Sequence, residues 1–187
     1  FIEELGIDLE SVEVDLMAGE NRQQDHLSRN PSGQMSTLEL DNGEFISEIT
    51  VICDYLDEQH GYTDLIGKTP EDRAETRMWT RRIDLQIVEP LTNGFRFSEG
   101  HDFFKDRLRL IPQAADDLKT LAQERITWLD GQIEGKEFIC GNRFSLADIM
   151  FYCFLNFGTT VGQPLNEDNK NVVNLYNKIH SRPSASV

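Results

Sequence analysis

The residues best suited to chemistry in this chain are its cysteines and histidines, and their spacing argues against two common kinds of site. Cys53, Cys140 and Cys153 lie far apart and form no Cys-x-x-Cys pair, so neither a disulfide framework nor a zinc site is predicted. All three lie among apolar residues, where we expect buried, unreactive thiols, and this usage favours a reducing, cytoplasmic setting. The four histidines show no metal-ligand spacing and are expected to be solvated surface residues: His26, His60, His101 and His180.

A second group of candidates lies between residues 30 and 49. Residues 17–35 are polar and loop-like, and the segment Asn30-Pro31-Ser32-Gly33-Gln34-Met35-Ser36-Thr37-Leu38 connects this loop to the next element. Ser47-Glu48-Ile49 begins an amphipathic helix. The backbone amides at a helix N-terminus bind carboxylates and phosphates. Glu48 therefore has two interpretations: a ligand contact, or an acid that only favours the positive end of the helix dipole. Met35 and Ser36 are likewise either ligand contacts or ordinary loop residues.

The composition excludes several classes of partner. The chain has 187 residues, and its 18 Lys+Arg against 33 Asp+Glu give a net charge of -15. This balance argues against nucleic acid, whose phosphates need clustered basic residues, and against an anionic membrane surface. No apolar run approaches the roughly 20 residues of a membrane-spanning helix.

The elements that must position these residues begin with a mixed α/β unit. The apolar spacing in residues 1–6 is that of a helix ending at a glycine, so we expect the chain to start inside a helix. Ser11–Leu16 alternates apolar and polar residues, which predicts a strand, and a short helix is predicted near Arg22–Ser28. Residues 37–46 predict a hairpin with Asn-Gly at its turn, and residues 49–56 predict a helix.

From residue 69 onward the pattern is helical only. Thr69-Pro70-Glu71-Asp72 is a strong helix start, and this helix can run as far as Leu91, although Pro90 is expected to kink or end it. Three further helices are predicted, at residues 118–133, from Ser145 to Gly158, and at residues 172–179. We therefore predict an α/β domain and then an all-α domain, at residues 1–57 and 69–187, with a linker at residues 58–68.

Two segments, in this order, resemble the cytosolic glutathione transferases, in particular bacterial-type members of that family. They are Asn30 to Leu38 followed by Ser47-Glu48-Ile49, and Gly141-Asn142-Arg143-Phe144-Ser145-Leu146-Ala147-Asp148-Ile149. The tract Trp79-Thr80-Arg81-Arg82 and the ending Ser181-Arg182-Pro183-Ser184-Ala185 also resemble such members. The resemblance spans essentially the whole chain and implies a thioredoxin-like N-terminal domain followed by a helical C-terminal domain. In the second segment, Ser145 and Asp148 are expected to cap a helix. Two interpretations stay open for Trp79, Arg81 and Arg82: a substrate pocket or dimer interface, or plain core packing and surface salt bridges.

The resemblance implies that glutathione contacts Gln34, Met35, Ser36, Glu48 and Ile49. Where the family has Val followed by a cis proline, this sequence has Met35 and Ser36, so the bond between them is expected to be either cis or trans. In the family, the main chain at this position pairs with the cysteinyl part of glutathione, and the resemblance implies the same for Met35. Glu48 matches the family, but Ile49 stands where the family has Ser or Thr, which removes one hydrogen bond to the γ-glutamyl group.

The family's catalytic residue is a Ser, Tyr or Cys that lowers the pKa of the glutathione thiol. We expect it upstream of Phe1, together with the first strand and the start of the first helix. The resemblance also implies glutathione as co-substrate without a metal, a small hydrophobic electrophile as second substrate, and a homodimer.

Two functions remain open. One is an enzyme that conjugates the glutathione thiolate to the electrophile, with a reductase, isomerase or dehalogenase of the same fold as variants. The other is a non-catalytic protein-interaction module with an impaired glutathione site.

Overall fold

A computed structural model of the chain describes residues 1–186, which divide into two compact units, Phe1–Thr63 and the residues from Asp64 onward. The first unit combines helices with a two-stranded antiparallel sheet, and the second is helical. The predicted order of α/β and then all-α is therefore confirmed, whereas the limits of the predicted linker stay a prediction. No helix among residues 1–186 is both long and apolar enough to cross a bilayer.

The elements of the first unit follow most of the local patterns. They are α1 (Ile2–Leu5), α2 (Gln24–Arg29), β1 (Thr37–Glu39), β2 (Phe45–Ser47) and α3 (Ile49–Gln59). Helix α1 ends as predicted at Gly6, whose φ of 68° is in the left-handed region that favours glycine. The short helix predicted near residues 22–28 is confirmed as α2, and α3 buries Cys53 and Leu56.

The predicted strand at Ser11–Leu16 is wrong. This segment has no regular structure, and it pairs with no strand in the described part of the chain. Val12 is 75% exposed and Leu16 is 40% exposed, so neither belongs to a buried face. An alternating pattern forms a strand only where a neighbour accepts and donates its backbone hydrogen bonds.

The predicted hairpin is confirmed, and its register fixes the geometry of the loop before it and the helix after it. Strands β1 and β2 are antiparallel, with Thr37 opposite Ser47 and Glu39 opposite Phe45. The turn is closed by a hydrogen bond of 2.8 Å from the Gly43 N–H to the Leu40 carbonyl. Gly43 has a φ of 81°, a conformation that a residue with a Cβ rarely adopts.

The second unit packs its helices around one apolar core. Its helices are α4 (Pro70–Ile83), α5 (Glu89–Phe97), α6 (His101–Phe104), α7 (Ala115–Gln132), α8 (Leu146–Thr160) and α9 (Lys170–His180). Helix α8 continues through Gly158, where it was expected to end. A Cβ at Gly158 would lie 3.0 Å from the Gln163 carbonyl oxygen and 3.1 Å from Leu91 Cδ1, so this glycine serves close packing rather than termination.

Pro90 lies in the first turn of α5, directly after an interruption of the α-helical pattern, so the helix that begins at Pro70 does not run unbroken to Leu91. Helix α4 stops at Ile83, the chain makes one π-helical turn at Asp84–Val88, and α5 starts at Glu89. A proline removes one backbone donor and crowds the preceding turn, so an unbroken α-helix through Pro90 would be strained. The wider π turn therefore lets the helical path continue past Pro90.

The start of α8 is closed by buried hydrogen bonds, as the capping prediction required. The carboxylate of Asp148 accepts from the N–H of Ile139 at 2.8 Å and from both the N–H and the hydroxyl of Ser145 at 2.9 Å. Ser145 and Asp148 are fully buried. Burial raises the pKa of Asp148 to about 6, because the desolvation of the carboxylate outweighs the hydrogen bonds that favour its ionised form.

Trp79 lies in the core of the second unit. Its side chain is buried, its ring centroid lies 6.2 Å from that of Trp128, and the Arg82 guanidinium lies 4.9 Å from its ring. Arg81 is exposed and forms an ion pair with Asp84 at 3.3 Å. Of the interpretations left open for this tract, core packing is confirmed for Trp79 and a surface salt bridge for Arg81.

Candidate functional site

The hairpin brings the two predicted site segments together at one end of its ladder. Met35 and Ser36 come directly before β1, and Glu48 and Ile49 come directly after β2. Because Thr37 pairs with Ser47, the residues that flank this pair lie beside each other. The loop with Gln34 and the start of α3 thus form one exposed surface of the first unit.

Buried polar side chains organise the loop that leads to Met35. Asn21 donates a hydrogen bond from Nδ2 to the Gly33 carbonyl at 2.6 Å. The next carbonyl, that of Gln34, accepts from Asn30 Nδ2 at 2.9 Å and lies 3.1 Å from His26 Nε2. Two consecutive backbone carbonyls are therefore bound by side chains that the first unit buries.

Gly33 allows this close approach. Its φ is 63°, and a Cβ there would lie 3.1 Å from the Asn21 carbonyl oxygen and 3.2 Å from Leu27 Cδ2. The same Cβ would lie 3.6 Å from Arg22 Cδ, which places the Arg22 stem beside the loop. Any side chain at this position would be strained by both the backbone conformation and the limited space.

The peptide bond between Met35 and Ser36 is cis, which decides between the two geometries left open by the sequence. Gln34, Met35 and Ser36 are all exposed, Met35 by 40%. Among residues 1–186, no group accepts a hydrogen bond from the Met35 N–H. The main chain of Met35 is thus available to a ligand.

The start of α3 is open. No side chain caps this helix, and the N–H groups of Ile49, Thr50 and Val51 have no partner in the described part of the chain. Unpaired amides and the helix dipole together favour an anion at this point. Glu48, which precedes the helix, is exposed and has a φ of 76°, an uncommon conformation for a residue with a Cβ. Ile49 is 49% exposed and offers no hydroxyl.

Two expectations about reactive side chains are wrong. His26 is buried and hydrogen-bonded rather than solvated, because α2 turns it towards the loop. Cys153 is exposed, whereas Cys53 and Cys140 are buried as expected. In the part of the chain that the structure describes, no group of three or more His, Cys, Asp or Glu side chains has an arrangement that could hold a metal ion.

Sequence reasoning missed the contribution of His26, Asn21 and Arg22 to this surface. One signal was available for His26, because it precedes Asn30 by four residues and such pairs share one face of a helix. A second signal was charge, since Arg22 and Arg29 are the only Lys or Arg residues among residues 1–63. Arg29 forms an ion pair with Asp25 at 2.9 Å, and Arg22 lies at the loop.

Comparison with protein families matches both units. The model of the glutathione S-transferase N-terminal domain matches residues 1–58, and the model of the C-terminal domain matches residues 109–183. The first match contains the whole of the surface formed by residues 34–36 and 48–49.

Individual relatives agree with this assignment. Glutathione S-transferase F10 of Arabidopsis thaliana is 30% identical, over 96% of this chain and 84% of its own length. Glutathione S-transferase 2 of Saccharomyces cerevisiae is 27% identical over 92% of this chain and 74% of its own. The crystal structure of Gtt2 from Saccharomyces cerevisiae superposes with a TM-score of 0.92 at 26% identity, over 99% of this chain and 90% of that chain. The chain therefore belongs to the glutathione S-transferase family, with a thioredoxin-like N-terminal domain and a helical C-terminal domain.

Proposed function

We propose that the protein binds glutathione at residues 34–36 and 48–49 and conjugates its thiolate to a small hydrophobic electrophile. One observation carries this proposal: the hairpin register places the unpaired main chain of Met35 beside the open N-terminus of α3. A peptide with a free carboxylate at one end matches such a surface, because it needs both backbone pairing and an anion site.

Each residue of the surface has a role in this proposal. The main chain of Met35 pairs with the cysteinyl part of glutathione, and the first amides of α3 bind the γ-glutamyl carboxylate. The Glu48 carboxylate accepts a hydrogen bond from the γ-glutamyl ammonium group. Gln34 and Ser36 contact the tripeptide from the loop.

Arg22 supplies the cation that a second carboxylate requires. Glutathione carries two carboxylates, and the first unit has only two basic Lys or Arg side chains, Arg22 and Arg29. The Arg22 stem lies beside Gly33, immediately before the residues proposed to bind the peptide. We assign Arg22 to the glycyl carboxylate, since an Arg–carboxylate pair combines charge with directional hydrogen bonds.

In the proposed reaction the glutathione thiol loses its proton, and its sulfur forms a bond to an electrophilic carbon as the leaving group departs with the bonding electrons. The Ser, Tyr or Cys that we expect upstream of Phe1 to stabilise this thiolate stays a prediction. The reaction uses glutathione as co-substrate and no metal.

Calorimetric titration with glutathione tests the site. We expect binding by the natural protein and about tenfold weaker binding by Glu48→Gln, because a neutral amide is a poorer acceptor for the ammonium group. Glu44→Gln is the matched control, an exposed acid at the hairpin turn that should leave the affinity unchanged. Equal affinities for all three proteins would contradict the role of Glu48.

The second candidate function is a non-catalytic interaction module, favoured by the absence of a hydroxyl at Ile49. Incubation with glutathione and a nitro-activated aryl chloride separates the two functions, because conjugation releases chloride and forms a thioether. Turnover supports the enzyme. Binding of glutathione without turnover supports the module, and no binding at millimolar glutathione overturns the proposed site.

The homodimer and the cytoplasmic location also stay proposals. Helix α4 offers an exposed face for self-association, with Met78 at 41% and Leu85, just beyond its end, at 46% exposure. Sedimentation at micromolar concentration is expected to give twice the monomer mass. A monomer mass would contradict the dimer, and fractionation of cells tests the location.

A further inference from the structure

We propose that His26 is a positioning residue that orients the Met35 N–H towards bound glutathione. The inference rests on the proposed function, and it assigns a role to a side chain that does not itself contact the peptide. It concerns how the unit presents one main-chain donor, rather than which residues touch the ligand.

His26 is the donor in its hydrogen bond to the loop. His26 Nε2 lies 3.1 Å from the Gln34 carbonyl oxygen. A carbonyl only accepts, so Nε2 carries a hydrogen and donates it. Asn30 Nδ2 donates to the same oxygen at 2.9 Å, and the two side chains are buried, with His26 at 8% and Asn30 at 2% exposure. The Gln34 carbonyl thus points towards the interior of the unit.

The Gln34 carbonyl and the Met35 N–H belong to one peptide group, which is planar. This bond is not among the cis bonds of the chain, so its C=O and N–H point in opposite directions. A carbonyl fixed towards buried donors therefore directs the Met35 N–H away from them, and Met35 itself is 40% exposed. Two donors on one oxygen restrict rotation of this plane more than one donor does.

His26 and Asn30 differ in the other hydrogen bonds that their side chains form. Asn30 also accepts hydrogen bonds at Oδ1 from the Ser32 N–H at 3.2 Å and the Ser32 hydroxyl at 2.7 Å, so it shapes the turn itself. Within residues 1–186, the side-chain hydrogen bond of His26 is the one to Gln34. A change at His26 therefore alters the peptide plane without removing the turn.

The experiment compares His26→Leu, which removes the donor, with His26→Gln, whose side-chain amide retains an N–H near the Nε2 position. The control is His60→Leu, which removes a histidine hydrogen bond of 2.7 Å to the Leu56 carbonyl at the end of α3. Glutathione affinity is measured by calorimetry, and urea unfolding is measured for each protein. We expect about tenfold weaker binding for His26→Leu, and affinities within about twofold of the natural protein for His26→Gln and His60→Leu.

Rescue by Gln is the readout that a merely structural role would not give. Equal affinity of His26→Leu and the natural protein would overturn the inference, as would affinity losses in all three variants that follow their losses of stability. Failure of the natural protein to bind glutathione would instead overturn the proposed function itself.

A second measurement keeps the inference testable if His26→Leu does not fold. In the natural protein, glutathione should shift the NMR signal of the Met35 amide and slow its hydrogen exchange. The same amide should respond similarly in His26→Gln. No change at Met35 when glutathione binds would overturn the inference.

Discussion

The N-termini of α3 and α8 are built from similar residue types but present opposite surfaces. Both helices follow an extended segment and have an acid near their start, Glu48 before α3 and Asp148 within α8. At α8 the acid is buried and accepts three hydrogen bonds from the protein. At α3 the acid is exposed, no side chain caps the helix, and the first amides are unpaired.

A helix N-terminus can therefore serve either the fold or a ligand. Buried amides must find acceptors within the protein, because each unpaired buried donor costs stability. At α8 the Leu146 N–H donates to the Leu65 carbonyl at 2.8 Å, so little remains for an external anion. At α3 the amides face solvent, and binding of a carboxylate would complete their hydrogen bonds.

The largest effect is expected from removing the buried acid at the N-terminus of α8. Asp148→Ala should lower the free energy of unfolding by about 3–5 kcal/mol, because buried donors on Ile139 and Ser145 lose their acceptor. Urea denaturation measures this loss. The matched control is Asp117→Ala, an exposed acid in the first turn of α7, which should change stability by less than about 0.5 kcal/mol. A loss of less than about 1 kcal/mol for Asp148→Ala would contradict the contrast between the two helix starts.

The titration of Asp148, at the N-terminus of α8, should also make the stability of the protein depend on pH. Burial raises the pKa of Asp148 from 3.8 to about 6, so the folded chain binds this proton more tightly than the unfolded chain. The stabilisation by the proton is present in full below pH 3.8 and is lost as the pH rises through about 6. It amounts to about 3 kcal/mol, at 1.36 kcal/mol for each pKa unit.

Unfolding by urea between pH 4 and pH 7.5 measures this dependence in the natural protein and in Asp148→Asn, whose side chain does not titrate. The stability of the natural protein relative to Asp148→Asn should fall as the pH rises. A stability difference that is the same at every pH would show that Asp148 does not bind a proton in this range.

A hydroxyl at the N-terminus of α3 should strengthen the binding of glutathione. Ile49→Ser is expected to tighten binding about tenfold, or about 1.4 kcal/mol, through one additional hydrogen bond to the γ-glutamyl group. Ile49 is 49% exposed, so the loss of packing is small. Val51→Ser is the control, since Val51 is 50% exposed and residues two apart do not share a helix face. Calorimetry should show no gain in glutathione affinity for Val51→Ser. Equal gains in affinity for both variants would show that the polarity of the substituted side chain, and not a hydrogen bond from position 49, causes the effect.

The smallest effect is expected from the backbone conformation of Glu48, the residue before α3. Glu48 has a φ of 76°, a conformation that favours glycine, so Glu48→Gly should be more stable than Glu48→Ala by about 1 kcal/mol. At Glu44, whose φ is not positive, Gly should be less stable than Ala. Urea denaturation of the four variants tests the pair, and the same order at both positions would contradict a backbone effect at Glu48.

Local patterns accounted for much of the fold and brought the candidate site close to its final form. Three features depend on residues only a few positions apart: the Asn-Gly hairpin, the helix after it and the Ser145–Asp148 cap. The interactions that form them can therefore be predicted from short stretches of sequence. The hairpin also determines which residues of the site lie together, because Thr37 opposite Ser47 makes Ser36 a neighbour of Glu48.

Other features could not be predicted because they depend on partners distant in sequence. The alternation of Ser11–Leu16 does not produce a strand without a neighbouring strand. Cys153 lies in an apolar run of α8 whose periodicity does not distinguish the buried face from the exposed one, and the structure exposes it. Glycine commonly follows the end of a helix, so the sequence predicts an end at Gly158. In the structure Gly158 lies within α8, where Leu91 and Gln163 leave little room for a side chain.

Short-range patterns in the sequence were sufficient for the succession of an α/β unit and a helical unit, for the glutathione transferase resemblance and for the residues that flank the hairpin. Only the tertiary structure decided that His26 is buried against the Gln34 carbonyl, that Asp148 is closed to solvent and that the start of α3 is open. Burial and the pairing of backbone groups are properties of the packed chain, because each depends on which distant residues exclude water from a given atom.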